Sequence, residues 1–249
     1  MGKIVAVTNQ KGGVGKTTTT VNLASALTAR GLRVLLADMD PQANATTGMG
    51  VDKNAEFGIY DVLCGAPAQD AVRKTEFGDI LPANRALSGA TVELVSAPER
   101  EFVLKKALSS VKNKYDYILI DCPPSLELLT VNSLCAADSV LIPVQCEFFA
   151  LEGLADLITS IRRVKQSLNR DVEIEGVLLT MYDTRTVFSR EVAREIKKYF
   201  PGKVYGVTIP RSVRIAEAPS YGAPVVNYDP SSRGAQAYRE LADEFLKRK

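Results

Sequence analysis

The sequence contains no histidine. This absence excludes a Ser-His-Asp triad, a cysteine–histidine nucleophile, a histidine-ligated zinc site and an imidazole pH switch. Any proton transfer must therefore involve carboxylates, lysines or water. The formal net charge of +2 is also too small to indicate a nucleic-acid partner by itself.

Cysteine is scarce, and the four thiols show neither a CxxC pair nor the spacing of a metal site. They are Cys64, Cys122, Cys135 and Cys146. The sequence begins without a signal-peptide pattern, and Ala6 stands where a myristoylation motif needs Ser or Thr. No apolar run approaches the roughly 18 residues of a membrane span. We therefore expect a cytoplasmic protein with no membrane partner and with buried, reduced thiols.

The remaining composition is that of an ordinary globular protein. Of the 249 residues, 46% are hydrophobic and 24% are charged, which excludes a disordered or fibrous chain. The sequence contains no internal repeat, no low-complexity tract and no linker at which to divide it. We predict one domain over residues 1–249.

Short apolar runs alternate with longer helical patterns along the chain. The predicted strands are Ile4–Thr8, Arg33–Ala37, Asp79–Leu81, Tyr115–Ile120, Ser139–Val144, Glu175–Met181 and Val204–Ile209. The predicted helices are Thr17–Arg30, Leu126–Cys135, Leu151–Ser167, Arg190–Tyr199 and Ser232–Lys247. Most strands are continuously apolar, as in a sheet covered on both faces, so the pattern predicts an α/β fold with a mostly parallel, doubly wound sheet. The segment 48–100 is less regular, and Val92–Val95 fits either strand or helix.

The strongest motif is a glycine-rich loop between the first strand and the first helix, of the P-loop type. Its glycines permit backbone N–H groups to converge on a phosphate, and the start of the helix faces the same anion. Lys16 is placed to reach the β- and γ-phosphates, and the Thr17 hydroxyl to bind Mg²⁺. The alternative is a glycine-rich turn without a ligand. The predicted nucleotide-binding residues of the loop are Lys11, Gly12, Gly13, Val14, Gly15, Lys16, Thr17 and Thr18.

One feature of this loop departs from the general phosphate-loop pattern. Gln10 occupies the position of the first glycine, and a second lysine, Lys11, opens the loop. Lys11 cannot easily fold back onto phosphates held by its own loop, so we expect it to reach a nucleotide in a facing subunit. This is the deviant Walker A form.

Carboxylates follow two of the predicted strands. Asp38 and Asp40 follow the second strand, and Asp121 ends a strand in the Walker B layout. Because the carboxyl ends of parallel strands share one edge of the sheet, these groups are expected beside the phosphate loop. We assign Thr17, Asp38 and Asp121 to Mg²⁺, and Asp40 to orienting or activating the attacking water. A helix-cap role is the alternative for Asp40.

With these motifs, the chain resembles the ParA/Soj family of chromosome- and plasmid-partitioning ATPases over almost its whole length. The resemblance rests on the segments 8–13, 38–42, 121–125, 143–147, 150–153, 180–183, 209–211 and 214–219. Ala43 and Ser212 depart from the family pattern, which usually has Gly and Asn at these positions. The resemblance places the adenine near Met181, Pro210 and Arg211.

The resemblance implies a mechanism and partners. ATP and Mg²⁺ would lie between the two subunits of a homodimer, with Lys16 and Lys11 supplying charge in catalysis and Asp40 acting on water. Family members also bind double-stranded DNA without sequence preference and respond to a ParB-type centromere-binding protein. A nucleoid-associated location in the cytoplasm follows from these properties.

Basic residues concentrate in one segment of the chain. Between Arg185 and Arg214 there are eight bases against two acids. Arg190 and Arg194 lie on a helix face opposite the apolar one, where a solvated surface is the simple interpretation. With the family resemblance, we predict that Arg185, Arg190, Arg194 and Arg214 contact the backbone of duplex DNA. Arg214 could instead pair with Glu217 one helical turn further on.

The main alternative is a MinD-like membrane-associated ATPase that positions cell division. It shares the phosphate site but needs a C-terminal amphipathic helix, and the sequence stops at Phe245–Lys249 before enough apolar surface accumulates. The second alternative is a metabolic P-loop enzyme or an iron–sulfur reductase, which is disfavoured because Cys122 and Cys135 are not in the contexts of cluster ligands. Whether the replicon is a chromosome or a plasmid stays open at this point.

Overall fold

A computed structural model of the protein describes residues 2–147 and 149–248. The strands are β1 (Lys3–Val7), β2 (Val34–Asp38), β3 (Arg73–Thr75), β4 (Gly78–Leu81), β5 (Tyr117–Asp121), β6 (Ser139–Gln145), β7 (Glu173–Tyr182) and β8 (Val204–Pro210). The longer helices are α1 (Lys16–Thr28), α5 (Leu87–Leu94), α6 (Val103–Ser109), α7 (Leu128–Ala136), α8 (Ala150–Ser167), α9 (Val187–Tyr199) and α12 (Arg233–Lys247). The short helices are α2 (Asn44–Gly48), α3 (Ile59–Leu63), α4 (Ala68–Ala71), α10 (Val213–Glu217) and α11 (Val225–Tyr228).

The strands form one sheet in the order β3-β4-β2-β5-β1-β6-β7-β8, parallel except for the edge pair β3–β4. This confirms the predicted fold class. β1 is central, with β5 on one side and β6 on the other. The chain runs toward opposite edges of the sheet from this point, and ligands of such sheets bind at the carboxyl ends of the strands there.

Both faces of the sheet are covered by helices. In β1, Ile4 and Ala6 belong to the apolar layer beneath α3 and α5 to α8, whereas Val5 and Val7 belong to the layer beneath α1 and α12. Alternate residues of a strand point to opposite faces, so a continuously apolar strand supplies both layers. The long helix α12 packs on α1 and β8 and buries Phe245 in the second layer.

Several expectations for the secondary structure need correction. The short edge strand β3 was not predicted, and Val92–Val95 is mostly helical, because α5 continues to Leu94. Helix α9 begins at Val187, three residues before the predicted start, because the Thr186 hydroxyl caps it by accepting a hydrogen bond from the Ser189 amide. Other boundaries differ by one or two residues.

Two side chains are also more exposed than the sequence pattern predicted. Tyr199, assigned to the apolar face of α9, is 71% exposed, while Val192 and Ile196 of that face are buried. Cys64 is exposed, and the other three thiols are buried and unpaired as expected. Among the described residues, no helix is long and apolar enough to cross a membrane.

Candidate functional site

The glycine-rich loop joins β1 to α1 at the carboxyl edge of the sheet. Gly13 and Gly15 have φ angles of 73° and 86°, the left-handed region that favours glycine. A Cβ atom at Gly12 or Gly13 would meet no atom within 4 Å, so the glycines border open space. Helix α1 begins at Lys16 without a side-chain cap, which leaves its first N–H groups free for an anion. The loop therefore has the form of a phosphate cradle.

Buried hydrogen bonds fix this loop from two sides. The Thr180 hydroxyl on β7 donates to the Val14 carbonyl at 2.7 Å. On the other side, Asn9 donates to the Pro143 carbonyl at 2.8 Å and accepts from the Lys11 amide at 3.0 Å. Neither Asn9 nor Thr180 was predicted from the sequence to be a site residue. Their positions next to the loop motif and at the end of a strand were the available signals.

The two lysines of the loop occupy different environments. Lys16 is buried, and its ammonium donates to the Lys11 carbonyl at 3.1 Å, so it folds across its own loop. Burial lowers the pKa of Lys16, and the nearby carboxylates of Asp121 and Asp40 oppose that effect. The Lys11 ammonium instead forms an ion pair with Glu147, outside the loop, at 2.6 Å. Only Lys16 is therefore directed to the cradle of its own chain.

Asp38 and Asp121 are neighbours across the sheet. They are register partners in the β2–β5 pair, and both are fully buried. One Asp121 oxygen accepts from the Thr20 hydroxyl at 3.1 Å, while the other is buried and has no partner. Burial and then the charge of Asp38 raise the pKa of Asp121 well above its usual value. A buried acceptor without a donor has the chemistry of a site for a cation or its water ligand.

The oxygen donors beside the loop match the needs of Mg²⁺. Thr17 lies close enough to Asp121 to affect the ionisation of that carboxyl. The described residues contain no cluster of three or more His, Cys, Asp or Glu side chains suited to a metal ion. Mg²⁺ is commonly held by one or two protein oxygens together with water and substrate phosphates. Thr17 and Asp121 fit that mode of binding.

Asp38 is more heavily engaged by the protein than Asp121. One of its oxygens accepts from the Thr46 amide and hydroxyl at 2.8 and 2.7 Å, and the other accepts from the Asp40 amide at 3.1 Å. Burial raises the pKa of Asp38 to about 6, and the hydrogen bonds from Thr46 act in the opposite direction. The assignment of Asp38 to Mg²⁺ stays a prediction. Because both oxygens of Asp38 already accept hydrogen bonds from the protein, this carboxylate has little acceptor capacity left for a metal ion.

Asp40 lies in the turn after β2, near Lys16. It is 8% exposed, and one of its oxygens accepts from the Gln42 amide at 2.9 Å. Ala43, at the end of this turn, has a φ of 55°, which explains why glycine suits the same position in the family. The turn thus holds the Asp40 carboxylate at the edge of the cleft.

The residues predicted to surround the adenine share one cavity with the loop. A cavity of about 450 Å³ is lined by Gly15 and Thr18 of the loop region and by Met181, Pro210 and Arg211 at the ends of β7 and β8. Met181 has a φ of 48°, an uncommon backbone conformation for a residue with a side chain. The fold brings these distant segments together beside the phosphate cradle.

The basic residues are more strongly paired than the charge count indicated. Arg185 is bound by both oxygens of Asp183, with nitrogen–oxygen distances of 2.9 and 2.8 Å. Arg214 contacts Glu217 at 3.0 Å and Asp229 at 3.3 Å. The count between Arg185 and Arg214 left out three of these acids, so it overstated the local positive charge.

The four predicted DNA contacts therefore differ in character. For Arg214 the ion-pair alternative is the observed arrangement. Arg190 is exposed and donates to the Thr184 carbonyl at 2.9 Å, and Arg194 is exposed further along α9. Arg185 keeps an 88% exposed side chain despite its pairing with Asp183, whereas the side chain of Arg214 is 55% exposed.

Comparison with known proteins places the chain among nucleotide-binding proteins. Residues 2–174 match the family model described as an AAA domain. The chain is 56% identical over 248 residues to the sporulation initiation inhibitor protein Soj of Bacillus subtilis, covering 98% of both chains. It is 51% identical to the chromosome partitioning protein ParA of Caulobacter vibrioides, covering 99% of this chain and 94% of that protein.

A solved structure shows the same fold with ligands. The cobyrinic acid a,c-diamide synthase of Mycobacterium smegmatis, with a bound ATP analogue and magnesium, superposes with a TM-score of 0.87 at 39% identity. The match covers 99% of this chain and 95% of that chain. The likeness extends through the sheet and both helical layers described above.

Proposed function

The chain belongs to the Soj/ParA family of partitioning ATPases, and we propose that its 249 residues act as one domain that couples ATP hydrolysis to the segregation of a chromosome or plasmid. It is an ATPase whose cofactors are ATP and Mg²⁺. The observation that best supports this function is the group of three features at one sheet edge. These are the open glycine cradle, the buried Lys16, and the unpartnered oxygen of Asp121.

Each of these features has a role in holding the substrate. Lys16 and the loop amides hold the β- and γ-phosphates of ATP. Thr17 and Asp121 hold Mg²⁺ or its water ligands, and Mg²⁺ when bound neutralises charge on the phosphate oxygens. Asp121 accepts a hydrogen bond from Thr20, which fixes the orientation of its carboxylate. Met181, Pro210 and Arg211 line the cavity for the base.

Asp40 is the residue that we propose to orient the attacking water. Phosphoryl transfer depends on positioning an in-line nucleophile, and the turn after β2 holds this carboxylate close to Lys16. The test is an ATPase assay on Asp40→Ala with a parallel measurement of nucleotide binding. We expect hydrolysis to fall by roughly 10²–10⁴-fold while ATP still binds, because the phosphate cradle is untouched. Turnover at the wild-type rate would rule out this role for Asp40.

We further propose that ATP joins two copies of the chain and that Lys11 then contacts the nucleotide of the facing subunit. Support comes from the direction of the Lys11 side chain, which leaves its own cradle and pairs with Glu147 on the loop after β6. The side chains of Lys11 and Glu147 are 36% and 46% exposed, so the pair can open toward a second subunit at little cost.

The dimer is proposed to bind double-stranded DNA without sequence preference and to act with a ParB-type partner on the nucleoid. The observation in favour is the exposed Arg185, which precedes α9 and its exposed Arg190 and Arg194. Basic residues that contact phosphates position a protein on DNA without reading the bases. Two such surfaces on one rigid dimer gain avidity over a single surface.

Membrane association of the MinD type is the alternative function. It requires an amphipathic helix whose apolar face is free to enter a bilayer. In this chain the apolar face of α12 buries Tyr238, Leu241 and Phe245 against the protein's own core. Sedimentation with anionic liposomes in the presence of ATP separates the two functions. We expect no co-sedimentation, and ATP-dependent recovery with the vesicles would favour the alternative.

A further inference from the structure

Thr46 lies at the centre of a buried hydrogen-bond chain that none of the proposed roles uses. It is fully buried in the short helix α2, outside the phosphate loop and the predicted metal ligands. Its hydroxyl donates to Asp38 at 2.7 Å and accepts from the Ala83 amide at 2.9 Å. Its own amide donates to the same Asp38 oxygen at 2.8 Å. Thr46 therefore connects the end of β2 with the segment that follows β4.

The chain of contacts continues from Asp38 to Asp40. The second Asp38 oxygen accepts from the Asp40 amide at 3.1 Å, so the Asp38 carboxylate bridges Thr46 and the backbone of Asp40. The Asp40 carboxylate in turn accepts from the Gln42 amide, which closes the turn. The bonds that Asp38 accepts from Thr46 and from the Asp40 amide are buried, where a hydrogen bond is electrostatically stronger than in water. Thr46 is therefore linked through the Asp38 carboxylate to the backbone of Asp40.

We infer that Thr46 is a positioning residue for hydrolysis, which holds Asp38 so that Asp38 anchors the turn carrying Asp40. This inference rests on the proposed role of Asp40 in orienting water. Thr46 does not line the cavity for the base, and its side chain bonds to Asp38 and Ala83 rather than to the phosphate loop. Its contribution lies in the geometry of the attacking water rather than in affinity for ATP. The side chain needs a hydroxyl for this, because it must donate to Asp38 and accept from Ala83 at once.

The experiment compares steady-state ATP hydrolysis by the full-length wild-type protein with Thr46→Val and Thr46→Ser, at saturating Mg²⁺. Valine keeps the shape of threonine and removes the hydroxyl, whereas serine keeps the hydroxyl. We expect Thr46→Val to lower kcat by about 10- to 100-fold with KM near the wild-type value, since small misplacements of reacting groups carry penalties of that size. Thr46→Ser should restore kcat to nearly the wild-type value.

Thr47→Val is the matched control. Thr47 is the next residue of the same helix, but it is exposed and its hydroxyl donates only to the nearby Ala43 carbonyl at 3.1 Å. We expect this variant to keep both kcat and KM. Equal losses in Thr46→Val and Thr47→Val would indicate general damage to α2 and overturn the inference. An unchanged kcat in Thr46→Val, or a rise in KM alone, would also overturn it.

Hydrogen exchange of the nucleotide-free protein supplies a readout that does not depend on activity. The Asp40 amide is held by Asp38, so its exchange should be faster in Thr46→Val than in the wild type and unchanged in Thr46→Ser. Unchanged exchange in Thr46→Val would contradict the inference. If Thr46→Val does not fold, Thr46→Ala is measured in its place. A wild-type protein without ATPase activity would refute the proposed function, and the exchange result would still test Thr46.

Discussion

The ammonium of Lys11 lies 2.6 Å from the carboxylate of Glu147, across 136 positions of sequence. This ion pair connects the opening of the phosphate loop to the segment after β6. The Lys11 ammonium is thereby held at Glu147, whereas the Lys16 ammonium donates to a carbonyl of the loop itself. Because both side chains are partly exposed to solvent, the pair is worth only about 0–1 kcal/mol. A second subunit could therefore compete for Lys11.

Because the two lysines of the loop occupy different positions, we expect their alanine variants to lose different properties. Lys16→Ala should abolish nucleotide binding, because it removes the buried cation directed to the phosphates. Lys11→Ala should bind ATP normally and fail to dimerise, because its ammonium lies outside its own cradle. Nucleotide titration and light scattering with ADP and ATP measure the two properties. Normal ATP-driven dimerisation of Lys11→Ala would contradict the proposed contact with the facing subunit.

Removal of the Glu147 carboxylate should strengthen dimerisation, which is the opposite of the effect expected for Lys11→Ala. In Glu147→Gln the Lys11 ammonium is released, so we expect ATP-dependent dimerisation at a concentration about two- to fivefold lower, in keeping with a pair worth up to about 1 kcal/mol. The measurement is light scattering over a dilution series. Glu173→Gln is the control. Glu173 also pairs with a lysine, Lys165, but it begins β7, whereas Glu147 follows the end of the parallel strand β6, so the two lie near opposite edges of the sheet. Weaker dimerisation of Glu147→Gln would mean that Glu147 instead helps Lys11 to reach the nucleotide.

The buried carboxylates predict an unusual dependence of stability on pH in the absence of nucleotide and Mg²⁺. Burial raises the pKa of Asp38 to about 6, against about 3.9 in an unfolded chain. The pKa of Asp121 is shifted in the same direction. Between pH 6 and 4 the native state therefore binds more protons than the unfolded state, so the free energy of unfolding should rise as the pH falls. For Asp38 the rise is of the order of 2 kcal/mol.

Urea unfolding at intervals between pH 4 and 7 measures this effect. The partly exposed Asp116 and Asp183 have pKa values lowered to about 2 by hydrogen bonds from Arg33 and Arg185, so their contribution to stability is lost only when the pH falls below about 4. Asp38→Asn is the comparison variant and should show a flatter profile over the same window. A wild-type protein that loses stability steadily from pH 6 to 4 would contradict the prediction.

DNA binding is predicted to depend on Arg185 and on ATP. Arg185→Ala should weaken binding to unrelated duplexes in the presence of ATP and reduce the logarithmic salt slope by about one unit for each phosphate that the arginine neutralises. Asp183→Asn should strengthen binding, because it removes the carboxylate that DNA phosphates must displace. Arg214→Ala should have a smaller effect on binding, since that side chain is held between Glu217 and Asp229.

Arg170→Ala is the matched control for the DNA experiment. Arg170 is exposed but precedes β7, whereas Arg185 follows it, so the two arginines lie near opposite edges of the sheet. We expect Arg170→Ala to bind DNA as the wild type does, and all of these variants to dimerise with ATP. Equal affinity for DNA with ADP and with ATP would refute the coupling to the nucleotide. An unchanged salt slope in Arg185→Ala would place the DNA site elsewhere.

Much of the sheet and of the phosphate loop was predictable because both depend on local sequence. The apolar strands are long enough to show their type, and the order of strands and helices alone indicates parallel βαβ units. The glycines and Lys16 lie within a few residues of one another, so their arrangement follows from one turn between a strand and a helix. The edge strand β3 was missed because three residues, Arg73–Thr75, carry too little pattern to be recognised.

The charged surface shows where sequence counting is insufficient. Arg185 and Asp183 are close in the chain, and their pairing was accessible to inspection. The contact between Arg214 and Asp229 depends on how α10 and α11 fold back on each other. Local charge therefore had to be evaluated from neighbours in space, since electrostatic attraction depends on distance between groups and not on their order in the chain.

Local sequence was enough to predict the fold class, the glycine-rich loop and the positions of Asp38, Asp40 and Asp121 at or just after the ends of strands. Which of these groups are free to act depends on contacts between distant segments of the folded chain. Asp121 keeps an unpartnered oxygen, whereas Asp38 is held by Thr46, and Lys11 is held by Glu147. The reason is that hydrogen bonds form over about 3 Å, and the strand order sets which distant residues come within that range.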